Sequence, residues 1–160
     1  TLKEYFMQRQ FTATVYIIKH DKVLLIMHPK FYKWIPPGEH LKENETPHQC
    51  ALRKVFEETG LNIGFYQDEY LQVSHKNAYS IPRPFLCLLE EIPAWNQLPM
   101  HQHIYFIFVG YPIKEDLVKD FSYRWFSKEE VLKLKEEEIF PDAKQIIYEM
   151  FNPNLSLVEV

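Results

Sequence analysis

Residues 46–59, TPHQCALRKVFEET, carry both ends of a helix and constrain what the rest of the chain can build around it. Thr46 is a good N-cap, Pro47 falls on the first helical position, and Gln49 completes a capping box. Gly60 supplies a left-handed stop. At about 100° per residue, Ala51, Leu52, Val55 and Phe56 gather on one side, and Arg53, Lys54, Glu57 and Glu58 on the other. The spacing therefore predicts a helix over 46–59, packed against a sheet through Leu52, Val55 and Phe56. Taken alone, the charged side is a solvated face with i,i+4 pairs Arg53–Glu57 and Lys54–Glu58, each worth about a few tenths of a kcal/mol.

Strand patterns flank this helix. FTATVYII (11–18) alternates Phe11, Ala13, Val15 and Ile17 against Thr12, Thr14 and Tyr16, and VLLIM (23–27) follows after the turn KHDK. FYKWIPPGEHLKENE (31–45) holds two prolines and a glycine and reads as a loop with at most a short strand. Further strands are expected at 69–74, 84–91 and 103–109. SKEEVLKLKEEE (127–138) opens on a second capping box, Ser127 with Glu130, and predicts a helix; another is expected over 142–151. Strands interleaved with one central helix and closed by two more point to an α/β/α sandwich with a mixed sheet. No repeat or Gly/Ser-rich linker interrupts the 160 residues, so a single domain over 1–160 is expected.

Composition narrows the function classes. A net charge of −4 gives no broad basic field, which makes nucleic acid an unlikely partner and leaves any phosphate ligand in need of a local cation. No apolar run reaches the length of a membrane span, and TLKEYFMQRQ lacks a signal-peptide core. Thr1 reads as a trimmed end, and the expected setting is the cytoplasm. Cys50 and Cys87, far apart and without CxxC spacing, read as buried free thiols. His101 and His103 share one strand face, which reads first as a partly exposed strand edge and second as a metal pair or phosphate contact. Among the 16% aromatic residues, Trp34, Trp95 and Trp125 are candidates for a base-stacking platform, although most aromatics belong to the core.

The helix also sits inside a longer pattern, PPGEHLKENETPHQCALRKVFEETGL. From position 39 this resembles the Nudix box, in which Gly, five residues, Glu, seven residues and Arg-Glu-aliphatic-x-Glu-Glu-x-Gly-aliphatic recur. Glu45, Arg53, Val55, Glu57, Glu58, Gly60 and Leu61 keep its spacing without a gap. Glu39 stands where the box has Gly, and Lys54 where it has the first Glu of the Arg-Glu pair. PPGE (36–39) is similar to the family's turn before the box, and YRWFSKEEV (123–131) to the strand and helix start near its end.

The resemblance implies a MutT-like hydrolase that cleaves a nucleoside diphosphate linked to another moiety, using Mg²⁺ or Mn²⁺. A pyrophosphate repels a nucleophile, and a hard divalent cation held by carboxylates offsets that charge. By resemblance Glu57 and Glu58 are metal ligands, with the Gly38 carbonyl a further one. Arg53 orients a carboxylate, and Glu45 is an auxiliary ligand or hydrogen-bond partner. Arg53, Glu57 and Glu58 thus make the catalytic set. Lys54 puts an ammonium where the box has a carboxylate, which weakens metal binding. Glu90, Glu91, Glu115, Asp116 and Asp120 are candidates for an extra carboxylate. The rival reading is a degenerate domain that binds a nucleotide, RNA or a protein without turnover; the resemblance leaves a homodimer open.

Overall fold

Strand β1 (Arg9–Lys19) organises the sheet. It turns into β2 (Lys22–Met27) through His20 and Asp21, whose φ angles of 49° and 58° form the left-handed pair of a two-residue hairpin. After β3 (Trp34–Ile35) and β4 (Gly38–His40) come helix α1 (Pro47–Thr59), β5 (Ile63–Gln67), β6 (Leu86–Ile92) and β7 (His101–Pro112). The chain continues through β8 (Tyr123–Ser127), α2 (Lys128–Leu132), α3 (Pro141–Met150) and β9 (Val158–Glu159). The computed structural model describes residues 7–67, 71–114, 122–152 and, for the backbone, 158–159.

The sheet is mixed. β1 runs parallel to β7, with Gln10 opposite His103 and Thr12 opposite Tyr105, and antiparallel to β2 and to the short β4. β7 pairs antiparallel with β5 and β6, and β2 with β3 and β8. Alternation along β1 separates two cores. Ala13, Val15 and Ile17 pack with Cys50, Ala51 and Val55 of α1. On the opposite face Tyr16 packs with Val131 of α2 and with Ala143, Ile146 and Ile147 of α3. The result is the expected α/β/α sandwich with a mixed sheet.

Several local expectations are corrected. The residues of 69–74 that are described form no strand beyond an isolated Ser74–Tyr79 bridge, and the strand lies earlier, at β5. Gly64 weakens its strand signal, yet a Cβ there would come within 2.5 Å of the Tyr111 ring, so the glycine makes room for the cross-strand partner. The helix expected over 127–138 stops at Leu132. Lys135 and Glu138 close a second turn through a 3.1 Å bond from the Lys135 amide, which delivers Ile139 to the core and the Glu138 carbonyl to the Trp34 amide. Cys50 is buried as expected, but Cys87 is exposed on β6.

Helix α1 has the predicted caps: Thr46 accepts from the Gln49 amide, and Gly60 sits at φ 72°. Its packing face is rotated from the expected one. Cys50, Ala51, Val55 and Thr59 are buried, whereas Leu52 is 37% and Phe56 55% exposed. Small residues let the helix lie close to the sheet, and β4 draws the charged strip inward, so two of the three expected anchors face solvent. Val55→Ala is therefore expected to cost about 2 kcal/mol, and Phe56→Ala less than about 1 kcal/mol. Chemical denaturation of the two variants checks the difference.

Candidate functional site

The charged strip of α1 lies against β4 and the loop that follows it. β4 can approach because Gly38 has no side chain; a Cβ there would stand 2.2 Å from Thr14 Oγ1 and 2.4 Å from the Ala13 carbonyl. The Gly38 amide donates to Glu58 Oε1 at 3.2 Å, tying the strand to the last turn of the helix. Burial, the strongest influence on Glu58, raises its pKa, opposed by Lys54 and by this amide.

Arg53 is the hub of the strip. Its Nε and Nη2 donate to the two oxygens of Glu45, the latter at 3.1 Å, and Nη1 donates to both oxygens of Glu57 at 3.2 Å. Glu45 also accepts the Lys42 amide at 2.9 Å. The hydrogen bond from Arg53 holds the Glu45 pKa down at about 2, against the opposing effect of burial. A carboxylate whose folded pKa is depressed stabilises the fold above its unfolded pKa and loses that effect as pH falls through the folded value. Stability is therefore expected to decline between about pH 4.5 and about 2, with a smaller decline in Glu45→Gln, as thermal melts over that range would show.

Lys54 departs from the expected pairing. Its Nζ lies 3.2 Å from Glu39 Oε2 and 3.5 Å from Glu57 Oε2, and Glu58 acts on it only as a nearby charge among the described residues. Glu39 Oε2 also stands 3.7 Å from Arg53 Nη1. Burial, the largest influence, pulls the Lys54 pKa down, but Glu39, Glu58 and Glu57 outweigh it and leave it raised. Lys54 thus remains an ammonium among carboxylates. The two residues that depart from the box, Glu39 and Lys54, are each other's partners. The available signal was that they depart with opposite charge.

The expected site residues Gly38, Glu45, Arg53, Glu57 and Glu58 therefore come together on one edge, with Glu39 added. The donors are the hard oxygens that magnesium or manganese takes, so the set fits such an ion in kind. They do not stand as a ready cage: among the described residues no group of three or more His, Cys, Asp or Glu is arranged around a common metal position. Glu90 lies outside the strip, on β6 opposite His103 with its carboxylate bonded to Tyr105, and Glu91 sits beside it on the same strand. Glu115, Asp116 and Asp120 lie outside the described residues.

The other face of β4 carries a second group. His103 is paired on both sides, with Gln10 of β1 and Glu90 of β6, so it is not on a strand edge as first read; His101 begins β7 opposite Ile92 of β6. His103 Nε2 is 3.4 Å from His40 Nε2, and both approach Gln10 Oε1, at 3.1 and 2.9 Å. The His103 and His101 rings lie 5.0 Å apart. Burial, then the neighbouring His40 and His101, lower the His103 pKa. Of the aromatic candidates, Trp34 packs edge-on to Phe126 in the core, whereas Trp95 is exposed.

A mixed sheet between helices, with a carboxylate-bearing helix edge laid on a glycine-opened strand, is the architecture of a Nudix domain. The chain belongs to the NUDIX family: the NUDIX domain matches residues 8–149. It is similar to a NUDIX-family hydrolase from Clostridium perfringens, with 26% identity, a TM-score of 0.67, and coverage of 89% of this chain and 96% of that one. A MutT protein from Bacillus halodurans shares the fold at 18% identity and a TM-score of 0.61, over 92% and 94% of the two chains. So does an Ap4A hydrolase from C. elegans, at 13% identity and a TM-score of 0.55, over 90% and 96%. Among the described residues no helix is long and apolar enough to cross a membrane.

Proposed function

We propose that the chain is a divalent-metal-dependent hydrolase that cleaves the pyrophosphate of a nucleoside diphosphate linked to another group. The observation that carries this reading is the meeting of Glu57, Glu58 and the Gly38 backbone on one edge, tied by the bond from the Gly38 amide to Glu58. Family membership supports the reaction class. Glu57, Glu58 and the Gly38 carbonyl would hold Mg²⁺ or Mn²⁺, which would neutralise phosphate charge and acidify a water. Arg53 grips Glu57 and Glu45 together and so fixes the direction of the Glu57 carboxylate. Both oxygens of Glu45 are engaged by Arg53, which makes it a hydrogen-bond partner of the site more than a ligand.

A screen of nucleoside di- and triphosphates, nucleotide sugars and dinucleotides with Mg²⁺ and Mn²⁺ tests the activity. Glu57→Gln and Glu58→Gln are each expected to weaken metal binding at least about tenfold, equivalent to about 1.4 kcal/mol, by calorimetry. Unchanged binding in both variants would move the metal elsewhere. One observation favours a second reading, a domain that binds its ligand without turnover: the Lys54 ammonium already lies between two of the carboxylates. A tight nucleotide ligand with no product under any metal would decide for it.

A further inference from the structure

We propose that β6 and the segments flanking it form the interface of a twofold dimer, in which β6 pairs antiparallel with β6 of a second copy. Residues 71–100 are as apolar as the rest of the chain: 15 of these 30 are of hydrophobic type, against 46% overall. Yet none of them is fully buried. By contrast β1, β2, β5, β7 and β8 each bury side chains in one of the two cores. Tyr79, Leu89, Trp95 and Leu98 are all more than half exposed. Single exposed apolar groups are ordinary, but a whole run of them marks a surface that another molecule covers.

The strand edge indicates which molecule. β6 is hydrogen-bonded on one side, to β7, and among the described residues no strand meets its outer edge. Seven residues at about 3.3 Å each leave roughly 23 Å of backbone whose outward amides and carbonyls accept a further strand. β6 is itself such a strand, and its sequence is self-complementary about Leu88. A twofold axis there sets Leu86 against Glu90, and Cys87 against Leu89, of the second copy. The acidic pairs Glu90 and Glu91 of the two copies are then kept apart, which avoids like charges directly opposite. Net charge agrees. Residues 71–100 hold two basic residues, Lys76 and Arg83, and two acidic ones, Glu90 and Glu91, in a chain of net charge −4. Two copies therefore approach through a neutral segment and not through the acidic remainder.

The pairing also extends an existing apolar row. Phe11, Ile104 and Leu89 stand side by side across β1, β7 and β6, with Phe11 51% and Leu89 57% exposed. In the dimer this row continues into Cys87 of the second copy. A strand pair alone falls short of the roughly 800 Å² per partner of a standard interface. Trp95, Leu98 and Met100 in the hairpin after β6, and Tyr79 before it, supply the remainder.

Analytical ultracentrifugation of the full chain gives the first readout, and thermal melts establish that each variant is folded. Wild type is expected to sediment as a dimer. Leu89→Lys should raise the dimer Kd at least about tenfold, since this side chain is exposed in the monomer and beside the twofold axis in the pair. Phe56→Lys, at a similarly exposed apolar position on α1, should leave Kd unchanged. The second readout uses wild type itself. Cys87 is exposed and Cys50 buried, so a short bismaleimide should join Cys87 to Cys87, diagonal neighbours about 7–8 Å apart, and Cys87→Ser should abolish the link. A monomeric wild type overturns the inference, including one that binds lipid vesicles through the same segment. A dimer that gives no Cys87 link overturns it whatever Leu89→Lys does. So does a dimer whose Kd is unchanged in folded Leu89→Lys, because its interface then lies elsewhere.

Discussion

Lys54→Glu is expected to tighten Mg²⁺ by one to two decades and to raise pyrophosphate hydrolysis above wild type. The substitution changes the local charge by two units at about 6 Å from a bound divalent ion. Even with near-water screening this is worth about 2–3 kcal/mol. The helix tolerates the change, since Lys and Glu have similar propensity. Without metal, however, the variant leaves Glu39, Glu57 and Glu58 beside a fourth carboxylate with no ammonium among them. Its melting temperature should therefore fall slightly without metal and rise above wild type when metal is added. Metal titrations of both proteins, followed by calorimetry and by phosphate release, make the comparison. A wild type that turns over rapidly and a slower variant would instead assign Lys54 a direct part in the chemistry.

Gly38→Ala is expected to be the most damaging single substitution at the site. The new Cβ would meet the Ala13 carbonyl at 2.4 Å and the Thr14 Cα at 2.9 Å, both backbone atoms that no rotamer change can move. β4 must lift from β1 to relieve this. The expected loss is about 3 kcal/mol, or roughly 6–12 °C in melting temperature for a chain of this size. Metal affinity should fall with it, because the amide that holds Glu58 moves away. Gly64→Ala is the informative control: its nearest obstacles are atoms of the Tyr111 ring, and Gly64 lies on β5, outside the carboxylate strip. A Gly38→Ala protein with unchanged melting temperature would mean that β4 is not held as tightly as its packing implies.

The helix and its caps were legible because each cap depends on residues within a few positions of one another. Thr46, Gln49 and Gly60 act on their own backbone, and the structure realises all three. The burial of Leu52 and Phe56 was misjudged because a helical wheel ranks residues by polarity and is blind to what the sheet offers. Here the neighbour is a strand opened by Gly38, which admits a half-buried charged strip and leaves the larger apolar groups outside. β5 was hidden by Gly64, whose reason is the Tyr111 ring forty-odd positions away. The carboxylates Glu45, Glu57 and Glu58 were readable as a spaced pattern. The Glu39–Lys54 contact was not, since it joins a strand to a helix turn and only the tertiary fold makes the opposite departures into one pair.

Adjacent residues on a strand point to opposite faces, and in β4 those residues are Glu39 and His40. One reaches Lys54 on the helix side; the other reaches His103 and Gln10 on the far side. With only three residues and its seat set by Gly38, β4 fixes both faces at once, so a substitution that lifts its backbone from β1 is expected to disturb the Glu39–Lys54 pair and the His40–His103 contact together.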